Sequence, residues 1–192
     1  MRKLIASLFI SVDGVMEGPG PQDPYEHAGW TMPYGSDEIG KIKYDELMRS
    51  DALLLGRITY EGFAAAWPGQ TDEAGFADRM NNLPKYVVST TLRETEWNNS
   101  HIINEDVAQR IAQLKEQAGQ DILIGGSAQL INSLMGARLI DQFRLLVYPV
   151  ILGSGKRLFH EGSHASLQLV ESRPLGSGVV FTRYVSDATA SN

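Results

Sequence analysis

The sequence predicts an α/β domain: a largely parallel sheet with helices on both faces, finished by antiparallel strands at one edge. Three observations carry this. Short apolar runs alternate with amphipathic stretches from Leu4 to Met135. Glycine follows the apolar run at Gly14, Gly56 and Gly125, where a strand must turn toward its next element. Beyond Leu139 the pattern changes: Leu167 to Arg173 alternates, Gly176-Ser177-Gly178 turns, and Val179 to Val185 returns. At 192 residues one domain is expected, 1–185, followed by a small polar tail, 186–192.

The elements follow in order. Leu4 to Val12 reads as a buried first strand. A long loop from Gly18 to about Pro33 carries His27, Trp30 and, just beyond it, Tyr34. Loops of that length in compact domains tend to bind or to cover a site; Trp30 is either a pocket wall or a plug in the core edge. Ser36 caps a helix from Asp37 to Arg49, whose first turn is acidic and whose stripe is Ile39, Ile42 and Leu47. Ala52 to Leu55 is a strand, Thr59 to Ala66 a short helix, and Asp72 to Asn81 another. Lys85 to Ser89 and His101 to Ile103 are strands. Asn104 is read as the cap of a helix with Val107, Ala108, Ile111, Ala112 and Leu114 on one face, stopped by Gly119. Ile122 to Ile124 is a strand, Ser127 to Met135 a helix, and Leu139 to Val150 a long strand region.

Composition excludes several functions. The net charge of −6 argues against a general nucleic-acid binder. The absence of cysteine excludes disulfides, thiolate metal sites and cysteine nucleophiles, and leaves the cytoplasm as the expected home. Arg2-Lys3 before an apolar run imitates a secretory leader, but the run ends at Asp13-Gly14 without a cleavage pattern, so it is read as a strand. No uncharged run approaches the roughly 20 residues of a membrane span; the longest apolar stretch, Leu139 to Leu152, contains Asp141 and Arg144, read as an exposed polar pair.

Three turns after apolar runs carry phosphate-binding chemistry. Gly125-Gly126-Ser127-Ala128 stands between a strand and a helix start, where backbone N–H groups face an anion. Gly56-Arg57-Ile58-Thr59 adds a guanidinium fork and a hydroxyl. Ser89-Thr90-Thr91, with Arg93, offers hydroxyls that suit a 2′-phosphate. Singly, each is equally an ordinary polar turn; together they fit one extended, multiply phosphorylated ligand. His160-Glu161-Gly162-Ser163-His164 matches H-E-x-x-H literally, but its glycine, with Gly153 and Gly155 before it, makes it a turn rather than a zinc-binding helix.

The order Ser11-Val12-Asp13-Gly14, Leu55 to Glu61, Val88-Ser89-Thr90-Thr91, Ile124-Gly125-Gly126-Ser127 and Tyr148 to Gly155 resembles the dihydrofolate reductase-like superfamily. It is most similar to stand-alone proteins akin to the reductase domain of bifunctional riboflavin-biosynthesis enzymes, over Arg2 to about Val185. The resemblance implies a three-layer α/β/α fold with a mixed, mostly parallel sheet, and NADPH as hydride donor. It implies that Gly56, Arg57 and Thr59 form the first cofactor loop, and Ser89, Thr90 and Thr91 the adenosine-phosphate loop. Gly125, Gly126, Ser127 and Ala128 become the pyrophosphate turn, and Val12, Asp13 and Met16 the loop that shields the nicotinamide. It also implies a homodimer. Two departures bear on substrate: the acidic position of true dihydrofolate reductases falls at Gly40, and the acid that riboflavin-pathway reductases carry before the glycine pair is Ile124. The deaminase partner of those enzymes needs cysteines this chain lacks.

The function expected is an NADPH-dependent reduction of a C=N or C=O carbon in a small heterocyclic or sugar-like molecule other than dihydrofolate. Asp37, Tyr44 or an ordered water would supply the proton. Gly153 and Lys156, with Trp30, would contact the substrate, or else form a solvated loop. The alternative is a non-catalytic NADP-binding module.

Overall fold

A computed structural model describes residues 1–186. The order is β1 (Leu4–Ser11), a 3₁₀ turn (Met32–Tyr34), α1 (Asp37–Met48), β2 (Ser50–Gly56), α2 (Arg57–Ala66), α3 (Phe76–Asn82), β3 (Lys85–Val88), β4 (Ser100–Ile103), α4 (Val107–Glu116), β5 (Asp121–Gly126), α5 (Ala128–Gly136), β6 (Gln142–Tyr148), β7 (Leu167–Pro174) and β8 (Val180–Ser186). The strands form one eight-stranded sheet in the order β4-β3-β2-β5-β1-β6-β8-β7. Neighbours are parallel from β4 to β6. β8 runs antiparallel to both β6 and β7.

Alternation along β1 shows how the sequence fixes the layers. Leu4, Ala6, Leu8 and Ile10 join a core with Ile111 and Leu114 of α4 and Leu130, Ile131 and Leu134 of α5. Ile5 faces the other way, into a core with Leu47 of α1, Tyr60 of α2 and Met80 of α3. A third cluster, with Ile39 and Ile42 of α1 on Leu146, Tyr148 and Phe181, extends that layer toward the antiparallel edge. Ser36 caps α1 as its sequence predicts, accepting a bond from the Ile39 amide.

Several boundaries differ for physical reasons. α2 begins at Arg57 with Gly56 as its N-cap, so Thr59 lies inside the first turn and does not cap it. α3 begins at Phe76; Asp72 stays outside and accepts the Phe76 and Ala77 amides. The cap of α4 is Asp106 in the left-handed region, not Asn104. β6 is confined to Gln142–Tyr148, because Pro149 cannot continue the ladder. Asp141 and Arg144 are not an exposed pair. Asp141 accepts the Leu4 amide at 2.7 Å and pairs with Lys115, while Arg144 turns toward Gln142 and buried Glu46. Ser186, assigned to the tail, ends β8; 187–192 lie outside the described residues. No helix among the described residues is long and apolar enough to cross a membrane.

Where β3 starts, Lys85 is fully buried. Its ammonium donates to the Asn81 and Asn98 carbonyls at 2.6 and 2.9 Å and lies 4.2 Å from the Trp97 ring centroid. Burial pushes it down from 10.5 to about 8. The charged form is thus favoured more in the unfolded chain than in the folded one, and the resulting cost is full below pH 8 and gone above 10.5. Urea titrations of the native chain and Lys85→Met should show the native chain gaining stability relative to the variant across that window; a constant difference would contradict the burial argument.

Candidate functional site

The helix after β2 covers one face of the sheet and the helix after β5 covers the other, although the two strands are neighbours. A crevice therefore opens between their C-terminal ends, the switch point at which open α/β sheets bind ligands. Both α2 and α5 begin there. A methyl carbon placed on Gly56 would fall 2.7 Å from Ser127 Oγ and 3.2 Å from its backbone nitrogen. One on Gly126 would fall 2.9 Å from Thr59 Oγ1 and 3.7 Å from Met16 Cε. Gly126 also has φ +135, which side-chain-bearing residues avoid, and its peptide to Ser127 is cis. The two glycines thus let two helix N-termini converge, with Thr59 and Ser127 hydroxyls between them and Met16 across the mouth. Two sets of free N–H groups aimed at one crevice suit a pyrophosphate.

The remaining predicted residues distribute around this centre. Ala128 opens α5, and Gly125 packs its open side toward Phe63. Arg57 is at the mouth, its Nη1 donating to both oxygens of Glu61 at 3.0 and 2.9 Å, which leaves Nη2 and Nε without a hydrogen bond among the described residues. At the end of β3, the buried Ser89 hydroxyl accepts the Thr91 and Leu92 amides. Ser89 therefore shapes the loop, while Thr90, Thr91 and Arg93 stand exposed on it.

The loop after β1 is locked from behind. Asp13 accepts bonds from the Ser11 hydroxyl (2.7 Å), the Leu152 amide (3.1 Å) and the Gly153 amide (2.9 Å). The Ser11 hydroxyl first, then the two amides, hold its carboxyl down to about 2 against the opposing effect of burial. Glu17 accepts the Lys156 backbone amide at 2.9 Å and pairs with its ammonium. Burial pulls Glu17 up, but these contacts outweigh it and leave the carboxyl below its ordinary value. A short antiparallel bridge, Val15 to Arg157, completes the join. Gly153 and Lys156 are thus bound up in this clamp. Val12 and Met16 join the clamp through their backbone amides, to the Val150 and Lys156 carbonyls, while the Val12 side chain stays 60% exposed and the Met16 side chain reaches toward Gly126.

Three of the candidate residues have surroundings of their own. Trp30 packs as a plug: it is 7% exposed, donates through Nε1 to the Glu17 carbonyl and meets the Tyr148 ring edge-on at 5.2 Å. Tyr44 spends its hydroxyl on the Ala74 carbonyl, before α3. Asp37 is exposed in the first turn of α1 and makes no hydrogen bond to the crevice residues. Sequence reasoning missed Tyr148 itself, which Phe9, Trp30 and Tyr34 surround edge-on and whose hydroxyl burial raises to about 12. The H-E-x-x-H segment is an exposed turn in which His160 Nδ1 lies 2.8 Å from the Glu161 carbonyl. No cluster of three potential metal ligands occurs among the described residues.

The model for the RibD C-terminal domain matches residues 2–181. The chain belongs to this family. The uncharacterized protein YyaP of Bacillus subtilis strain 168 is 31% identical over 183 residues, covering 93% of this chain and 92% of YyaP. Among solved structures, a protein provisionally assigned to riboflavin biosynthesis in Shewanella sp. PV-4 superposes with a TM-score of 0.74 at 20% identity, covering 96% of this chain and 99% of that one. Dihydrofolate reductase from Enterococcus faecalis, complexed with NADP(H), gives 0.63 at 14% identity, covering 96% of each. The fold is dihydrofolate reductase-like.

The clamp yields a pH prediction. Asp13's folded value, about 2, lies below its ordinary 3.8. Its stabilising contribution is therefore complete above 3.8 and lost as the pH falls through 2. Asp13→Asn should lower the melting temperature at pH 7 and flatten the acid side of the stability profile. An unchanged acid limb would show that the carboxylate does not hold the loop.

Proposed function

We propose that this protein is an NADPH-dependent reductase acting on a C=N or C=O carbon of a small heterocyclic or sugar-like substrate other than dihydrofolate. The observation that carries the reading is the convergence of α2 and α5 on one crevice through Gly56 and Gly126. The residues fit the cofactor: two helix N-termini drawn together by glycines that leave no room for a Cβ against Ser127 and Thr59, with those two hydroxyls beside them, offer the kind of donors a dinucleotide pyrophosphate takes. In this reading Gly125, Gly126, Ser127 and Ala128 hold one phosphate, and Gly56 and Thr59 the other. Thr90, Thr91 and Arg93 take the 2′-phosphate on the turn that Ser89 shapes. Arg57 adds charge at the mouth.

When bound, the cofactor supplies the hydride. The chain's own residues bind, orient and exclude water. Met16 and Val12 cover the nicotinamide side of the crevice, held there by the Asp13 and Glu17 clamp. Excluding water strengthens the electrostatics inside the site and prevents side reactions. The proton for the receiving heteroatom comes from an ordered water, since Tyr44 is committed to Ala74 and Asp37 is turned out to solvent. A second reading, a non-catalytic NADP-binding module, is favoured by one feature: neither Gly40 nor Ile124 supplies the acid that substrate-binding relatives place there.

The test is a fluorescence titration with NADPH and NADH, repeated on Arg57→Ala. NADPH should bind more tightly than NADH, and the substitution should weaken it about tenfold, as expected for a charge-assisted contact. Binding of neither dinucleotide would end both readings. Tight NADPH binding with no oxidation across a panel of cyclic imines, lactams and reducing sugars would favour the non-catalytic module.

A further inference from the structure

Beside α5 lies a cavity of about 520 Å³ that begins at Ala128, the first residue of that helix. Its walls are Gln129 and Ser133 of α5 and the loop residues Lys156, Arg157 and His160. Among the described residues, no aspartate or glutamate lines it. Its floor is built rather than incidental. Asn132, 8% exposed, donates to the Ala128 carbonyl at 2.8 Å and the Leu158 carbonyl at 2.6 Å, and accepts the Ser163 hydroxyl at 2.6 Å. This stitches to the helix the loop that carries Lys156, Arg157 and His160. The His160 ring is oriented through Nδ1 by the Glu161 carbonyl and Ser163 hydroxyl, leaving Nε2 without a hydrogen bond among the described residues.

We propose that this cavity binds a small molecule through an oxyanion of the phosphate class, with Arg157 and His160 as its principal contacts and Lys156 as a shared one. Three nitrogen-bearing side chains, an amide and a hydroxyl around an acid-free cavity match the several acceptor oxygens of such a group. The volume exceeds that of a bare phosphate and accommodates the molecule that carries it. The site adjoins the α2–α5 crevice through Ala128, but none of its basic residues is one that the cofactor reading uses. It competes with the clamp, because Lys156 also pairs with Glu17, and Arg157 donates to the Asp13 carbonyl at 3.0 Å with its Nη2 3.7 Å from Asp13 Oδ2. Removing the acid at Glu17 therefore frees a cation for the ligand.

Inorganic pyrophosphate is the probe, titrated by calorimetry at constant ionic strength against the whole chain and four variants. Saturable binding is expected, weakened about fivefold or more by Arg157→Gln, which removes a charge-assisted contact, and weakened also by His160→Gln, which removes the ring beside it. Glu17→Gln should tighten it, a gain that mere loosening of the loop would not produce. Pyrophosphate taken up by the α2–α5 crevice should appear as a separate class of binding that Arg57→Ala weakens and His160→Gln leaves untouched. His160 is exposed, so its variant keeps the fold, which a melting curve verifies. Absence of saturation would overturn the proposal. So would saturable binding in which no class is weakened by His160→Gln or by Arg157→Gln.

Discussion

The structure depends on one close approach. The start of α2 meets the start of α5 at Gly56 and Ser127, where no side chain fits between them. Strands β2 and β5 are neighbours whose following helices leave toward opposite faces, so their ends must diverge. Glycine at both turns lets the backbones draw together before they part, which concentrates unpaired N–H groups in one small volume. A larger residue at Gly126 would press on Thr59 and strain the backbone at φ +135. The same constraint shapes the sheet and the crevice, so the geometry of the crevice follows from the topology.

Around that centre the chain spends its charged residues on joining loops. Asp13 and Glu17, after β1, hold the segment after β6 through amides and an ammonium. On the α1 face, Glu46 is 3% exposed and accepts the Ser7 hydroxyl at 2.5 Å and the Lys43 ammonium at 2.9 Å, with Arg144 at 3.7 Å. Such a cluster is a modest source of net stability, because desolvation offsets much of the attraction. Its effect is to fix how α1 sits over β1 and β6, and hence where the N-terminal end of α1 meets the Tyr148 aromatic nest.

Much of this was legible in the residues. The apolar alternation of β1 and the stripes of α1, α4 and α5 gave the layers, because burial repeats with the period of each element. The glycine pair and Gly56-Arg57-Ile58-Thr59 marked the crevice, because backbone approach demands glycine whatever the tertiary context. Pairings between distant segments were not legible. Asp141 reads as a surface acid until β1 supplies the Leu4 amide and α4 supplies Lys115. Trp30 reads as either wall or plug until Tyr148, far along the chain, is placed beneath it. Tyr44 reads as a free hydroxyl until the loop before α3 brings the Ala74 carbonyl to it. His160 was set aside with a false metal motif, although its position beside α5 gives it a different use.

The central claim is that one dinucleotide bridges loops contributed by β1, β2, β3 and β5. Hydrogen–deuterium exchange of the whole chain with and without NADPH tests it most directly. The account predicts slower exchange in four separated segments at once, around residues 12–17, 56–60, 89–93 and 125–129, with little change in β7 and β8. Protection absent from the 56–60 and 125–129 segments, or confined to the C-terminal hairpin, would contradict it.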